Sequence, residues 1–277
     1  MFIVLIGLIG LLVGSGLAIL VEVVPDSINQ GHSPFRCGSC GERRGLGALS
    51  PLPGATSCSA CEAKSSVARL PTVLVTGAVF VLAAAVVGNR WQILPVLLFA
   101  SSLIALSAVD VARFRLPDRI IFPSLLASVV LIAVLSASFG EIDHVWRGLI
   151  TGLAYAGVLF VFNIISPAGL AFGDVKLSLL LGLFLGWVAD SGIDAARLVV
   201  WALLAGMIFG IFSGVLVGLG RRTFGPDFLP DPDFPVEESE VTPLLKTAFP
   251  FGPALALSAF GLVVFSARLL EGTGILA

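Results

Sequence analysis

Charged side chains are scarce in this chain: Asp, Glu, Lys and Arg together make up 12% of its 277 residues. Histidine is scarcer still, with only His32 and His144, which excludes a His-rich metal site. There is no basic tract and the net charge is −2, so nothing supplies the electrostatic footprint of a nucleic-acid partner. The chain is instead 57% hydrophobic, with a mean hydropathy of +1.04. A water-soluble domain of this length could not hide so much apolar surface, so lipid must cover part of it.

A helix that crosses a bilayer needs about 20 apolar residues at about 1.5 Å each. Eight runs meet or approach that length: 2–21, 71–88, 91–109, 119–139, 147–166, 177–193, 198–219 and 250–268. The sixth is the weakest, because Gly182, Gly186 and Asp190 interrupt it. The first has no basic residue ahead of it and no clear small-x-small cleavage site, so it reads as a retained helix rather than a signal peptide. The expected fold is an all-α polytopic membrane protein with eight transmembrane helices.

Lys and Arg set the expected orientation. With the N-terminus outside, Arg36, Arg43, Arg44, Lys64 and Arg69 fall in a cytoplasmic first loop. Arg113, Arg115 and Arg119 fall in the third loop, Lys176 in the fifth, and Arg221, Arg222 and Lys246 in the seventh. Only Arg90, Arg147, Arg197 and Arg268 remain outside.

The polar segment 25–70 separates the first helix, within 1–24, from the seven-helix region 71–277. All four cysteines lie in it, as "CGSC" and "CSAC": Cys37 and Cys40, then Cys58 and Cys61, with seventeen residues between the pairs. Two such knuckles can set four thiolates tetrahedrally around Zn²⁺, and the spacing suits a small zinc-ribbon-like loop. In a reducing cytoplasm zinc is favoured over disulfides, and the loop has little apolar content with which to fold without a metal. Redox-active or incidental cysteine pairs are the competing reading. The later loop 220–246 is rich in proline and acid, which argues for an extended, flexible connection without catalytic residues.

Two acids interrupt the apolar pattern at corresponding places. Asp110 follows a long apolar run and opens "DVARFRLPD"; Asp174 closes "AFGD" ahead of another. In the topology above both face the cytoplasm at similar depth. Two carboxylates brought together in a partly desolvated cleft cannot both ionise cheaply, so they share a proton. One can then activate a water while its protonated partner polarises a scissile carbonyl, the chemistry of an aspartic protease. Gly173 lets the backbone turn closely beside Asp174. Taken singly, each acid better fits a boundary charge reaching headgroups or water, and Arg113, Arg115 and Lys176 fit positive-inside anchors; only the pairing on one face brings the catalytic reading level with it.

Several motifs, in order along the chain, resemble those of the type IV prepilin peptidases, the GxGD-type leader peptidase and N-methyltransferase family. "DVARFRLPD", with Pro117 seven places after Asp110, resembles the family's first aspartate motif, and "AFGDVKL" resembles its GxGD motif. "PFGPALALSA", from Pro250, resembles the stretch opening its last span, and the paired cysteines resemble the zinc knuckles of its full-length bacterial members. The resemblance implies cleavage of prepilin or pseudopilin leaders at the cytoplasmic face of the bacterial inner membrane, with Asp110 and Asp174 as the catalytic pair. It further implies site-shaping roles for Pro250 and Gly252, which would form the start of the last helix. Asp118, after Leu-Pro, reads as a polar loop group rather than a third catalyst. Lys176 fits either substrate positioning, with an influence on Asp174, or snorkelling to the headgroups.

The chain also departs from the family pattern. Ala18 and Val23 stand where Asn and Arg are usual, Gly38 replaces the proline of CPxC, and Ala171 replaces the first glycine of GxGD. All four zinc thiols remain. The lost polar groups are those that could hold S-adenosylmethionine or its substrate, which leaves methyl transfer open. Two readings from other classes compete with the peptidase: a transporter or channel, in which broken helices and acids couple ions, and a non-catalytic docking protein that uses the zinc loop in pilus or secretion assembly.

Overall fold

The computed structural model describes residues 1–23, 69–113, 116–165, 171–224 and 251–269. Among them all regular structure is α-helical. In chain order the helices are α1 (Phe2–Val23), α2 (Arg69–Val87), α3 (Ile93–Arg113), α4 (Asp118–Ser138), α5 (Ile142–Ile165), α6 (Phe172–Trp187), α7 (Gly192–Phe224) and α8 (Gly252–Leu269). Each corresponds to one of the eight expected apolar runs. The four cysteines, Arg115, Pro250 and the segment 225–250 lie outside the described residues.

Helix starts differ most from the apolar runs. α5, α6 and α7 begin at Ile142, Phe172 and Gly192, each about a turn or more before its run. Apolar patterning marks only the lipid-matched part of a helix, whereas backbone hydrogen bonding continues into polar residues at the boundary. Ser191 supplies one such start: its hydroxyl accepts from the Asp194 amide at 3.2 Å and donates to the Asp194 carboxylate at 2.6 Å, capping α7. At the other end α7 runs on to Phe224, past the expected start of the loop at residue 220. α2 and α4 are followed by Gly88 and Gly140 at φ of 74° and 78°, the left-handed conformation that terminates a helix with glycine.

Six of these helices (α1 to α5, and α7) are long and apolar enough to cross a membrane. α6, with 16 residues, is only about 24 Å long. It is also the most enclosed: from Leu180 to Trp187 every residue is buried. Its neighbours cover it, so it has no lipid-facing stripe to match to the bilayer.

The glycines that make the sixth run look weak are what seat α6. A Cβ on Gly182 would lie 2.7 Å from the Gly152 Cα and 2.8 Å from the Thr151 carbonyl oxygen of α5. One on Gly186 would meet the Thr151 side chain at 2.5 Å. Small residues therefore let the α5 and α6 backbones touch, the packing favoured where lipid removes any hydrophobic drive between helices. Aromatic rings tie α6 to the rest: Phe184 stacks on Phe99 of α3 at 4.1 Å, and Trp187 meets Trp91 edge-on at 5.8 Å. At that end His144 Nδ1 lies 2.8 Å from the Trp187 carbonyl oxygen, and Arg147 donates to the Asp190 carbonyl. Apolar side chains such as Leu153, Phe162, Ile208 and Phe212 face outward, as lipid contact requires.

Candidate active site

The end of the bundle opposite Trp187 gathers the last turn of α3, the first turns of α4 and α6, and the start of α8. α3 runs into this end and stops just after Asp110, so its apolar face carries the acid inward. Asp110 is 6% exposed. Asp174 lies in the first turn of α6 and is 4% exposed; its amide donates to the Ala171 carbonyl at 3.0 Å, closing that turn. Burial of this degree is rare for carboxylates without compensating partners. The two are near enough to act on one another's charge.

One partner of Asp110 comes from far along the chain. The backbone amide of Gly252, first residue of α8, donates to Asp110 Oδ2 at 3.1 Å. The N-terminus of α8 thus presents an unpaired helix donor to a carboxylate, with a favourably oriented dipole behind it. A Cβ on Gly252 would lie 2.8 Å from Oδ2, so any other residue there would push the Asp110 carboxylate aside. Gly173, just before Asp174, makes a second close approach, since its Cβ would meet the Leu116 Cβ at 3.0 Å. The segment leaving Asp110 therefore packs on the glycine beside Asp174.

Lys176 has a specific partner. Its ammonium donates to both oxygens of Asp118, at 2.6 and 2.8 Å. It also stands 5.1 Å from the Phe172 ring centroid and 6.0 Å from that of Phe122, within cation–π range. Asp118 is the first residue of α4, not a free loop group, so the pair ties the start of α4 to the first turn of α6. Residue spacing gave no sign of this pairing, because 58 positions separate the partners.

Tyr155 of α5 escaped the sequence reading altogether. It is wholly buried, and its charge interactions include Asp174. A lone tyrosine inside an apolar span carries no motif. The only available signal was its place on the stripe with Gly148, Gly152 and Leu159.

Geometrically, the site offers two enclosed carboxylates from different helices, one backbone donor held on the first of them, and an ion pair fixing the helix starts around them.

Residues 97–219, the segment containing both acids, match the model of the type IV leader peptidase family. A prepilin leader peptidase/N-methyltransferase of Myxococcus xanthus is 26% identical over an alignment covering 95% of this chain and 90% of that protein. One of Pseudomonas putida is 27% identical, covering 94% and 89%. A shorter match, to a protein of the same name from Stutzerimonas stutzeri, is 27% identical over 73% of this chain and 60% of that protein. No solved structure matches the chain significantly. Asp110 and Asp174 both lie inside the segment that is similar to the type IV leader peptidase family.

Proposed function

We propose that the chain is an intramembrane aspartic endopeptidase that cleaves the leader of type IV prepilin or pseudopilin precursors at the cytoplasmic face, with Asp110 and Asp174 as its catalytic pair. The observation that carries this reading is the burial of both acids at one end of the bundle, within reach of each other's charge, on helices 64 positions apart in sequence. The similarity of residues 97–219 to the type IV leader peptidase family, and of the chain to prepilin leader peptidases, supports the leader-peptide substrate. The distribution of Lys and Arg supports the cytoplasmic placement of that end.

The chemistry needs one carboxylate ionised and the other protonated. The ionised one takes a proton from water as the water oxygen attacks the scissile carbonyl carbon. The protonated one donates a hydrogen bond to the carbonyl oxygen, where negative charge develops. As the tetrahedral intermediate collapses, the C–N bond breaks and a proton passes to the leaving amine. The Gly252 amide orients Asp110 throughout, Gly173 lets the two segments close up, and the Lys176–Asp118 pair holds the helix starts. Pro250 would set the approach to α8.

Cys37, Cys40, Cys58 and Cys61 would hold a structural Zn²⁺, on the chemistry of four thiols in two knuckles. No catalytic step passes through it. Methyl transfer from S-adenosylmethionine is left out of the proposed activity, because Ala18 and Val23 replace the polar residues usual at those positions. The test is cleavage of a prepilin-like precursor by purified protein, with the product mass reporting any added methyl group. Zinc content in the wild type and Cys37→Ser tests the metal site separately. Flux across proteoliposomes that depends on Asp174, without peptide cleavage, would place the chain among transporters instead.

A further inference from the structure

Tyr155 is the only tyrosine in the chain and is 0% exposed. Its hydroxyl has no hydrogen-bond partner. Burying a hydroxyl unpaired is unfavourable, and phenylalanine would fill the same space without that cost. An unpaired hydroxyl in such a place is free to bond a group that enters the site.

Packing between α5 and α6 locates it. A Cβ on Gly148 would meet the Leu183 carbonyl oxygen at 2.7 Å, and one on Gly152 the Leu179 carbonyl oxygen at 2.9 Å. Four residues forward on α5 thus match four residues back on α6. The next step of this antiparallel register sets the turn after Gly152, which carries Tyr155, against Val175 and its neighbours. Tyr155 lies on the same buried stripe as Gly148, Gly152 and Leu159, the stripe that faces α6. It is therefore about one turn from Asp174, consistent with the charge interaction between them.

The other buried side-chain atoms without partners among the described residues belong elsewhere. They are Gln92 Oε1, Arg147 Nε and Ser128 Oγ. Arg147 sits with Asp190 at the far end of the bundle, and Gln92 immediately follows the Trp91 that packs on Trp187 there. Ser128 lies about 15 Å along α4 from Asp118.

A buried water needs two to four polar partners. The two acids supply mainly acceptors, and the Gly252 amide is already committed to Asp110. A phenolic hydroxyl both donates and accepts. We propose that Tyr155 is a water-positioning residue, its hydroxyl hydrogen-bonding the water that Asp174 and Asp110 activate. This inference rests on the two-aspartate reading above. In the attack step the water proton still goes to the ionised carboxylate; Tyr155 keeps its own proton and fixes the direction of the oxygen lone pair.

The test compares wild type, Tyr155→Phe, Ser128→Ala and Asp174→Asn in a precursor-cleavage assay, with kcat, KM, the pH profile of kcat and thermal stability measured for each. Tyr155→Phe should lower kcat about tenfold or more and alter the pH profile, while KM and stability stay near wild type. Ser128→Ala, losing an equally buried hydroxyl outside the site, should keep its kcat. A wild-type kcat and pH profile in Tyr155→Phe, beside an inactive Asp174→Asn, would overturn the Tyr155 assignment alone. Equal losses in Tyr155→Phe and Ser128→Ala, or a loss in Tyr155→Phe that tracks lowered stability, would also overturn it. Full activity in Asp174→Asn would remove the reading on which it rests.

Discussion

The amide of Gly252 holds Asp110 Oδ2 at 3.1 Å across 142 positions of sequence, and a Cβ on Gly252 would come within 2.8 Å of that oxygen. The start of the last helix is therefore part of the site. Alanine is a better helix former than glycine, so Gly252→Ala should leave α8 at least as stable locally. The added Cβ would nonetheless displace the carboxylate. Misplacing a reacting group by about 1 Å can cost about 100-fold. Gly252→Ala should thus accumulate in the membrane and lose most of its kcat. Wild-type kinetics in this variant would remove Gly252 from the site.

The Lys176–Asp118 pair makes a milder prediction. Asp118 is 53% exposed, and partly exposed ion pairs contribute less than about 1 kcal/mol. Asp118→Asn and Lys176→Gln should each lower kcat by less than about tenfold. The exchanged variant Asp118→Lys with Lys176→Asp should recover part of the loss. Asp118→Asn as inactive as Asp110→Asn would instead make Asp118 a catalyst.

Between α5 and α6 the limiting contacts are backbone against backbone, which cannot rotate away. Gly182→Ala should destabilise the protein by about 1–3 kcal/mol, the usual cost of overpacking. Gly157→Ala, on the same α5 but with nothing within 4 Å of its Cβ, is the control and should melt with the wild type. Thermal unfolding in one detergent compares the two directly, and equal melting points would contradict the close packing.

A carboxylate pair that works with one proton fixes the form of the pH dependence. Activity should fall toward acid, where the base carboxylate becomes protonated, and toward alkali, where the shared proton is lost. A bell-shaped kcat profile is the expected result. A profile with only one limb across the range of stable protein would exclude a shared proton as the working state.

Much of this arrangement could be read from sequence because lipid simplifies the pattern. In a chain with few charges, an acid ending one apolar run and another opening a later one stand out, and Asp110 and Asp174 do occupy facing helix ends. Other features were hidden for identifiable reasons. Gly182 and Gly186 looked like defects in a span, because hydropathy cannot tell a helix broken by glycine from one whose glycines admit a neighbour's backbone. Asp118 looked like loop polarity, because its partner Lys176 is brought to it only by the packing of α4 beside α6. Tyr155 was invisible, since a hydroxyl in an apolar helix becomes meaningful only when its missing partner is seen. α6 began earlier than its apolar run because Asp174 is helical yet polar, so hydropathy excluded the turn that carries this acid.

The most direct test of the central claim is cleavage of a prepilin precursor by purified wild type, Asp110→Asn and Asp174→Asn, each confirmed to be folded in detergent. The two-aspartate account predicts a leader-free product from the wild type and none from either variant. Cleavage retained in either variant would contradict it.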